Sequence, residues 1–196
     1  MNDRFYALKI VLLDIQPEIW RRFVVPATIT LDRLHDVIQI VMGWTDSHLH
    51  QFTIGKKKYT EYRESKEDGL PCGRYQLVDL IKQKGRTFQY LYDFGDNWKH
   101  ELTIEDNDYF DTKQSIEILC LEGKRACPPE DIGGVHGYLR FCKIIENPDH
   151  DEHAEYKFWS GGNFDSENFN VKFVNRELIK YLRWSRDRDR EWGWNY

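Results

Sequence analysis

Residues 86–105 carry the pattern that most limits what this chain can become. Phe88, Tyr90, Tyr92 and Phe94 alternate on the way in, and Trp98, His100, Leu102 and Ile104 alternate on the way out. Lys99, Glu101, Thr103 and Glu105 fill the positions between. A period of two places the apolar set on one face of a ribbon and the polar set on the other. Gly95-Asp96-Asn97 separates the two runs with residue types that tolerate positive φ. The stretch reads as a β-hairpin with one face to bury, and the rest of the chain must cover that face.

Residues 5–13 and 19–25 read as two further strands joined by a turn at Gln16-Pro17, with Pro26 ending the second. Residues 31–42 switch to a helical period: Leu31, Leu34, Ile38 and Val41 share one face. Thr30 is placed to cap this helix, Asp32 suits its dipole, and Gly43 can end it in a left-handed turn. Residues 48–54 alternate again, with His48, His50, Phe52 and Ile54 on one face. Residues 56–74 are polar and read as a strand end plus an exposed loop. A short helix is predicted over 76–83 and a strand over 115–121. Helices are predicted over 134–146, presenting Tyr138, Phe141, Cys142 and Ile145, and over 170–184, presenting Val171, Val174, Leu178, Tyr181 and Leu182. Strands first and helices later, with no regular βαβ alternation, predict a single α+β domain with a largely antiparallel sheet and helices packed mainly on one face. The domain takes in residues 1–196, with a core over about 5–182 and a polar, Trp-containing C-terminal tail over 183–196.

Composition narrows the functional classes. With 7 Trp, 11 Tyr and 11 Phe in 196 residues the chain has the apolar bulk that disordered chains lack. The net charge is -5, from 33 acids against 28 bases, which disfavours bulk nucleic-acid binding. Local basic surfaces remain as routes to DNA contact: one around Arg21, Arg22, Lys56, Lys57 and Lys58, and the tail from Arg183 to Arg190, whose two Asp cancel part of its four Arg and which reads first as a solvated helix end. No stretch approaches the roughly 20 apolar residues of a membrane span. Charges at Asp3, Arg4, Lys9 and Asp14 argue against a signal peptide at the start. Cys72, Cys120, Cys127 and Cys142, without an export signal or a C-x-x-C pair, point to reduced thiols in a cytoplasm.

Four stretches hold more polar and aromatic detail than packing requires. In 43–50, His48 and His50 could ligate a metal through neutral imidazole nitrogens, or sit hydrogen-bonded at the core rim. In 92–100, Asp93 and Asp96 flanked by Trp98 and His100 could hold a divalent ion or move protons, or simply bond the amides of a tight turn. In 120–134, two prolines and two glycines shape a loop that presents Glu130 and Asp131, and Gly133-Gly134 opens a helix whose free N–H groups could receive an anion. Cys120 and Cys127 could join His48 or His50 as metal ligands. Residues 159–165 read as an aromatic-anchored turn. No nucleotide-binding glycine loop, nucleophile elbow, H-E-x-x-H or EF-hand loop is present.

These stretches resemble the plasmid pRiA4b ORF-3-like family. The resemblance rests on Ile19-Trp20-Arg21-Arg22, Leu34-His35 with Ile38-Gln39, Met42-Gly43-Trp44, and His48-Leu49-His50-Gln51-Phe52. It continues through Tyr92-Asp93-Phe94-Gly95-Asp96 with Trp98 and His100, then Cys120, Gly123 and Ala126-Cys127-Pro128-Pro129-Glu130-Asp131. Gly133-Gly134, Gly137-Tyr138 and Phe164-Asp165 complete it, and Ser166 departs from the Pro expected after Phe-Asp. It implies a single α+β domain associated with plasmids or mobile elements, some members being named TnpR, and it implies no particular reaction or cofactor.

Two functional expectations follow. The first is a non-catalytic binding or interaction module with a protein or small-molecule partner, its candidate pocket formed by His48, His50, Asp93, Asp96, Trp98, His100, Glu130 and Asp131. The second is a metal-assisted hydrolase, such as one acting on a phosphoester, in which the same His and carboxylates supply ligands and a base. The second requires three or more of those side chains to converge within about 5 Å of one point. No cofactor is expected beyond that divalent metal.

Overall fold

The computed structural model describes residues 4–61, 65, 67–110 and 118–191, with side chains as far as Tyr181. Among these, β1 (Phe5–Leu12), β2 (Ile19–Pro26), β3 (His50–Ile54), β4 (Lys57–Thr60), β5 (Leu70–Pro71), β6 (Thr87–Tyr92), β7 (Trp98–Tyr109) and β8 (Leu119–Lys124) form one sheet. Its order is β5-β4-β3-β6-β7-β1-β2-β8. Every neighbouring pair is antiparallel except β4 and β5. The helices are α1 (Leu31–Met42), α2 (Leu77–Leu80), α3 (Gly134–Glu146), α4 (His153–Trp159) and α5 (Val171–Glu191). This is the α+β architecture expected from the order of the sequence patterns. None of the helices is long and apolar enough to cross a membrane.

The hairpin closes with Tyr92 opposite Trp98, Tyr90 opposite His100 and Phe88 opposite Leu102, so both apolar rows face the same side. That side is buried together with Tyr6, Leu8, Ile10 and Leu12 of β1 and with Leu31, Leu34, Val37, Ile38 and Val41 of α1. The opposite face is charged: Arg22 pairs with both Glu105 and Glu122 across three strands. Edge strand β8 is tied to α5 by Asn175, whose amide oxygen accepts from Cys120 N–H (2.7 Å) and whose amide nitrogen donates to Cys120 C=O (2.8 Å). A covered edge cannot recruit another strand.

Several local expectations change. Thr30 precedes α1, but its side chain makes no capping bond. The helix is finished instead by Gly43 (φ 109°) and by Arg21, whose Nε donates to Val41 C=O at 2.7 Å. Helix α1 has no basic residue in its own last turn, so Arg21 supplies the cation its dipole favours there. Arg21 is therefore buried, and Arg22 is neutralised by two acids, so neither belongs to a free basic surface for DNA. Phe94 does not continue the β6 row: the strand stops at Tyr92, Asp93 turns to φ 54°, and Phe94 swings out to 50% exposure. Strand β8 starts at Leu119, while residues 115–117 lie outside the described residues. Helix α4 was not predicted; none of its residues is buried, so it carries no apolar stripe to read. The last helix runs beyond 184 to Glu191, where Arg186, Arg188, Arg190 and Glu191 are good helix formers.

Candidate metal centre

Three loops build the candidate site. Residues 43–49 follow α1, residues 93–97 join β6 to β7, and residues 125–133 lead from β8 to α3. They are locked together by their backbones. Asp93 N–H donates to Leu49 C=O (2.9 Å), which fastens the hairpin turn to the loop entering β3. Trp44 Nε1 donates to Pro128 C=O (3.0 Å), which fastens the first loop to the third. Asp96 Oδ2 accepts from Gly133 N–H (3.1 Å). Gly134 (φ 67°) lies so close to this turn that a Cβ there would stand 2.6 Å from Asp96 C=O, which explains why glycine occupies the position.

The contacts bring one imidazole and three carboxylates together. His48 Nε2 stands 3.1 Å from Asp131 Oδ1, 3.7 Å from Asp93 Oδ2 and 3.9 Å from Glu130 Oε2. None of these approaches is aligned as a hydrogen bond, and both His48 Nε2 and Glu130 Oε2 are buried atoms without a partner. The donor atoms of His48, Asp93 and Asp131 all lie within 4.8 Å of one another. Donors about 2.1 Å from a shared ion stand roughly 3–3.5 Å apart, a separation that His48 and Asp131 already have and that the wider His48–Asp93 and His48–Glu130 pairs approach.

Each carboxylate is aimed by its other oxygen. Asp93 Oδ1 accepts from Gly95 N–H (2.8 Å), leaving Oδ2 toward His48, and the side chain is only 9% exposed. Glu130 Oε1 accepts from Tyr92 O–H (2.9 Å) and Thr45 N–H (3.0 Å), leaving Oε2 inward. Tyr92 O in turn accepts from Ser47 N–H (3.1 Å). Burial and the Glu130 carboxylate push the Tyr92 phenol pKa upward, so Tyr92 stays a donor. Asp131 takes φ 55° and is 73% exposed, which opens the ring to solvent on its side.

The other sequence candidates fall elsewhere. His50 and His48 part company because β3 begins at His50: His50 faces the core, its ring stacked on His35 with centroids 3.5 Å apart. Burial, and next the neighbouring His35, hold its pKa well below the usual imidazole range. His100 is fully buried and pushed down to about 3 by desolvation, so it stays neutral. Trp98 is core, 6.2 Å from the Trp44 ring. Asp96 braces the third loop through Gly133. Cys120 and Cys127 join no ligand cluster with His48 or His50 among the described residues. Burial raises both thiols, Cys120 to about 12; the Arg21 charge works against this at both, and Glu130 adds to it at Cys127.

A second His–carboxylate cluster lies beside the first. His35 Nε2 is 2.7 Å from Asp46 Oδ1, and its Nδ1 is 2.7 Å from the Tyr90 hydroxyl, which also accepts from Gln39 Nε2 (3.0 Å). Asp36 completes this cluster and accepts from Tyr181 O–H (2.6 Å). Here both imidazole nitrogens have hydrogen-bond partners.

One mostly antiparallel sheet, helices on its apolar face and a His–carboxylate ring made by three loops define an α+β domain with a candidate cation site. The chain belongs to the plasmid pRiA4b ORF-3-like protein family, whose pattern matches residues 4–173. It is similar to the uncharacterized protein y4hQ of Sinorhizobium fredii (strain NBRC 101917 / NGR234), 38% identical over 183 residues that cover 91% of this chain and 93% of that one. It is also similar to a crystal structure of MM3350, a protein of unknown function from Methanosarcina mazei Go1. The TM-score is 0.77 at 33% identity, covering 88% of this chain and 98% of the other.

Thr45, Ser47 and Tyr92 carry no metal-ligand signal in the sequence, yet they set which Glu130 oxygen faces the ring. Tyr92 reads only as one more aromatic of the inward row. Its role comes from the phenol at the end of β6 reaching the third loop, a contact between residues 38 apart.

Proposed function

We propose that the protein binds a divalent transition metal through His48, Asp93 and Asp131, with Glu130 beside it, and that the bound ion polarises water for hydrolysis. The observation that supports this most strongly is the pair of buried, unpartnered atoms, His48 Nε2 and Glu130 Oε2, facing each other among carboxylates. Leaving such atoms without partners is costly unless a ligand fills the ring. One imidazole with carboxylates suits zinc or manganese. When bound, the ion lowers the pKa of its water and supplies a hydroxide nucleophile. The exposed Asp131 side leaves room for that water and a substrate. Elemental analysis of protein purified without chelator, with a hydrolysis survey in added Zn2+ and Mn2+, tests the reading. Bound metal with turnover supports it; protein that ignores both ions contradicts it.

A second reading is a non-catalytic interaction module serving a plasmid or mobile element in a cytoplasm. It is favoured by Leu49 (47% exposed) and Phe94 (50% exposed), each adjacent in the chain to a ring residue. Metal binding without turnover, and a partner lost on Phe94→Ala, would support this reading over the first.

A further inference from the structure

We infer that the ring acts on an uncharged carbonyl group, an amide or ester flanked by an apolar side chain, and not on a phosphoester. The inference rests on the metal reading above and names its substrate class. With neutral His48, the carboxylates of Asp93, Glu130 and Asp131 outweigh a divalent ion by one negative charge. Asp96 adds another acid on the same turn. Among the described residues, no Lys or Arg pairs with any of these four acids. Arg21, behind the third loop, is already committed to the carbonyls of Val41, Trp20 and Lys124 and is covered by the Phe169 ring at 4.1 Å.

Sites that take phosphoryl groups add Arg, Lys or a second metal to offset the substrate's charge. This ring would repel a dianion. A carbonyl oxygen brings no net charge, and a Lewis acid can polarise it. Leu49 and Phe94 each neighbour a ring residue in the chain, Asp93 N–H donates to Leu49 C=O, and both side chains are about half exposed. An apolar group carried beside the carbonyl would remove both from water.

The test uses full-length protein loaded with Mn2+ and two probes that share a phenyl ring, N-acetylphenylalaninamide and phenyl phosphate. Proton relaxation of each probe by the bound ion reports its approach. The amide should be relaxed about tenfold more strongly than the phosphate, and Phe94→Ala should weaken relaxation of the amide several-fold while leaving Mn2+ affinity unchanged. Equal relaxation, or preference for phenyl phosphate, overturns the substrate class while leaving the metal centre standing. Failure to bind Mn2+ at all overturns the metal reading, and this inference with it.

Discussion

Two His–carboxylate clusters sit side by side in this molecule, and they differ in one respect. Around His35 both ring nitrogens are occupied, by Asp46 and by the Tyr90 hydroxyl, and Gln39 completes the network. Around His48 three carboxylate oxygens crowd Nε2 without one aligned hydrogen bond. A closed network specifies packing, because each member already has its partner. On the proposed metal reading, the open ring is the place for a cation. The same residue types then divide into a structural pair and a ligand set, and residue type alone does not separate them.

The sharpest way to break this contrast is to exchange the consequences. His35→Ala takes one partner from the buried Tyr90 hydroxyl and one from Asp46, opens a cavity beside the His50 ring, and should cost about 3 kcal/mol of stability in urea unfolding. Mn2+ affinity should stay within about threefold, because His35 is outside the ring. Asp93→Asn should do the reverse. Asn tolerates the φ of 54° and can still accept from Gly95 N–H. Stability should change by less than about 1 kcal/mol, while Mn2+ affinity falls about a hundredfold, or about 2.7 kcal/mol. Equal effects of the two variants on stability and affinity would erase the distinction between the clusters.

The pH dependence sharpens the structural side. His100 is neutral in the fold down to about pH 3, against 6.5 for the free side chain. As pH falls below 6.5 the unfolded chain takes up the proton first. The stability from neutral His100 is full above that value and is lost toward pH 3, at about 1.4 kcal/mol per pH unit. His100→Phe should flatten urea midpoints between pH 6.5 and 5; an unchanged slope would contradict the assignment. The smallest effect is expected at the rim. Phe94→Ala should shift stability by less than about 0.5 kcal/mol, since its exposed ring covers no core.

The fold was legible wherever one face of an element is buried. The β6–β7 rows and α1 follow directly from periods of 2 and 3.6. Helix α4 was not, because none of its residues is fully buried and only Tyr156 and Trp159 reach the core, against Phe141. The site was half legible. His48, Asp93, Glu130 and Asp131 were among the candidates, and so were His50, Trp98 and His100, which went to the core. Alternation put His48 and His50 on one face, but that rule ends where the strand ends, and β3 begins at His50. Tyr92 and Thr45 were out of reach for another reason: contacts between distant loops leave no local period to read.

Calorimetric titration of metal-free protein with Mn2+ and Zn2+, beside the Asp93→Asn and His48→Gln variants, tests the open ring most directly. The account predicts one ion per chain for the parent protein and a loss of about a hundredfold in both variants. A parent protein that gives no binding heat with either ion and shows no metal-dependent shift in melting, or variants that bind as tightly as the parent, would contradict it.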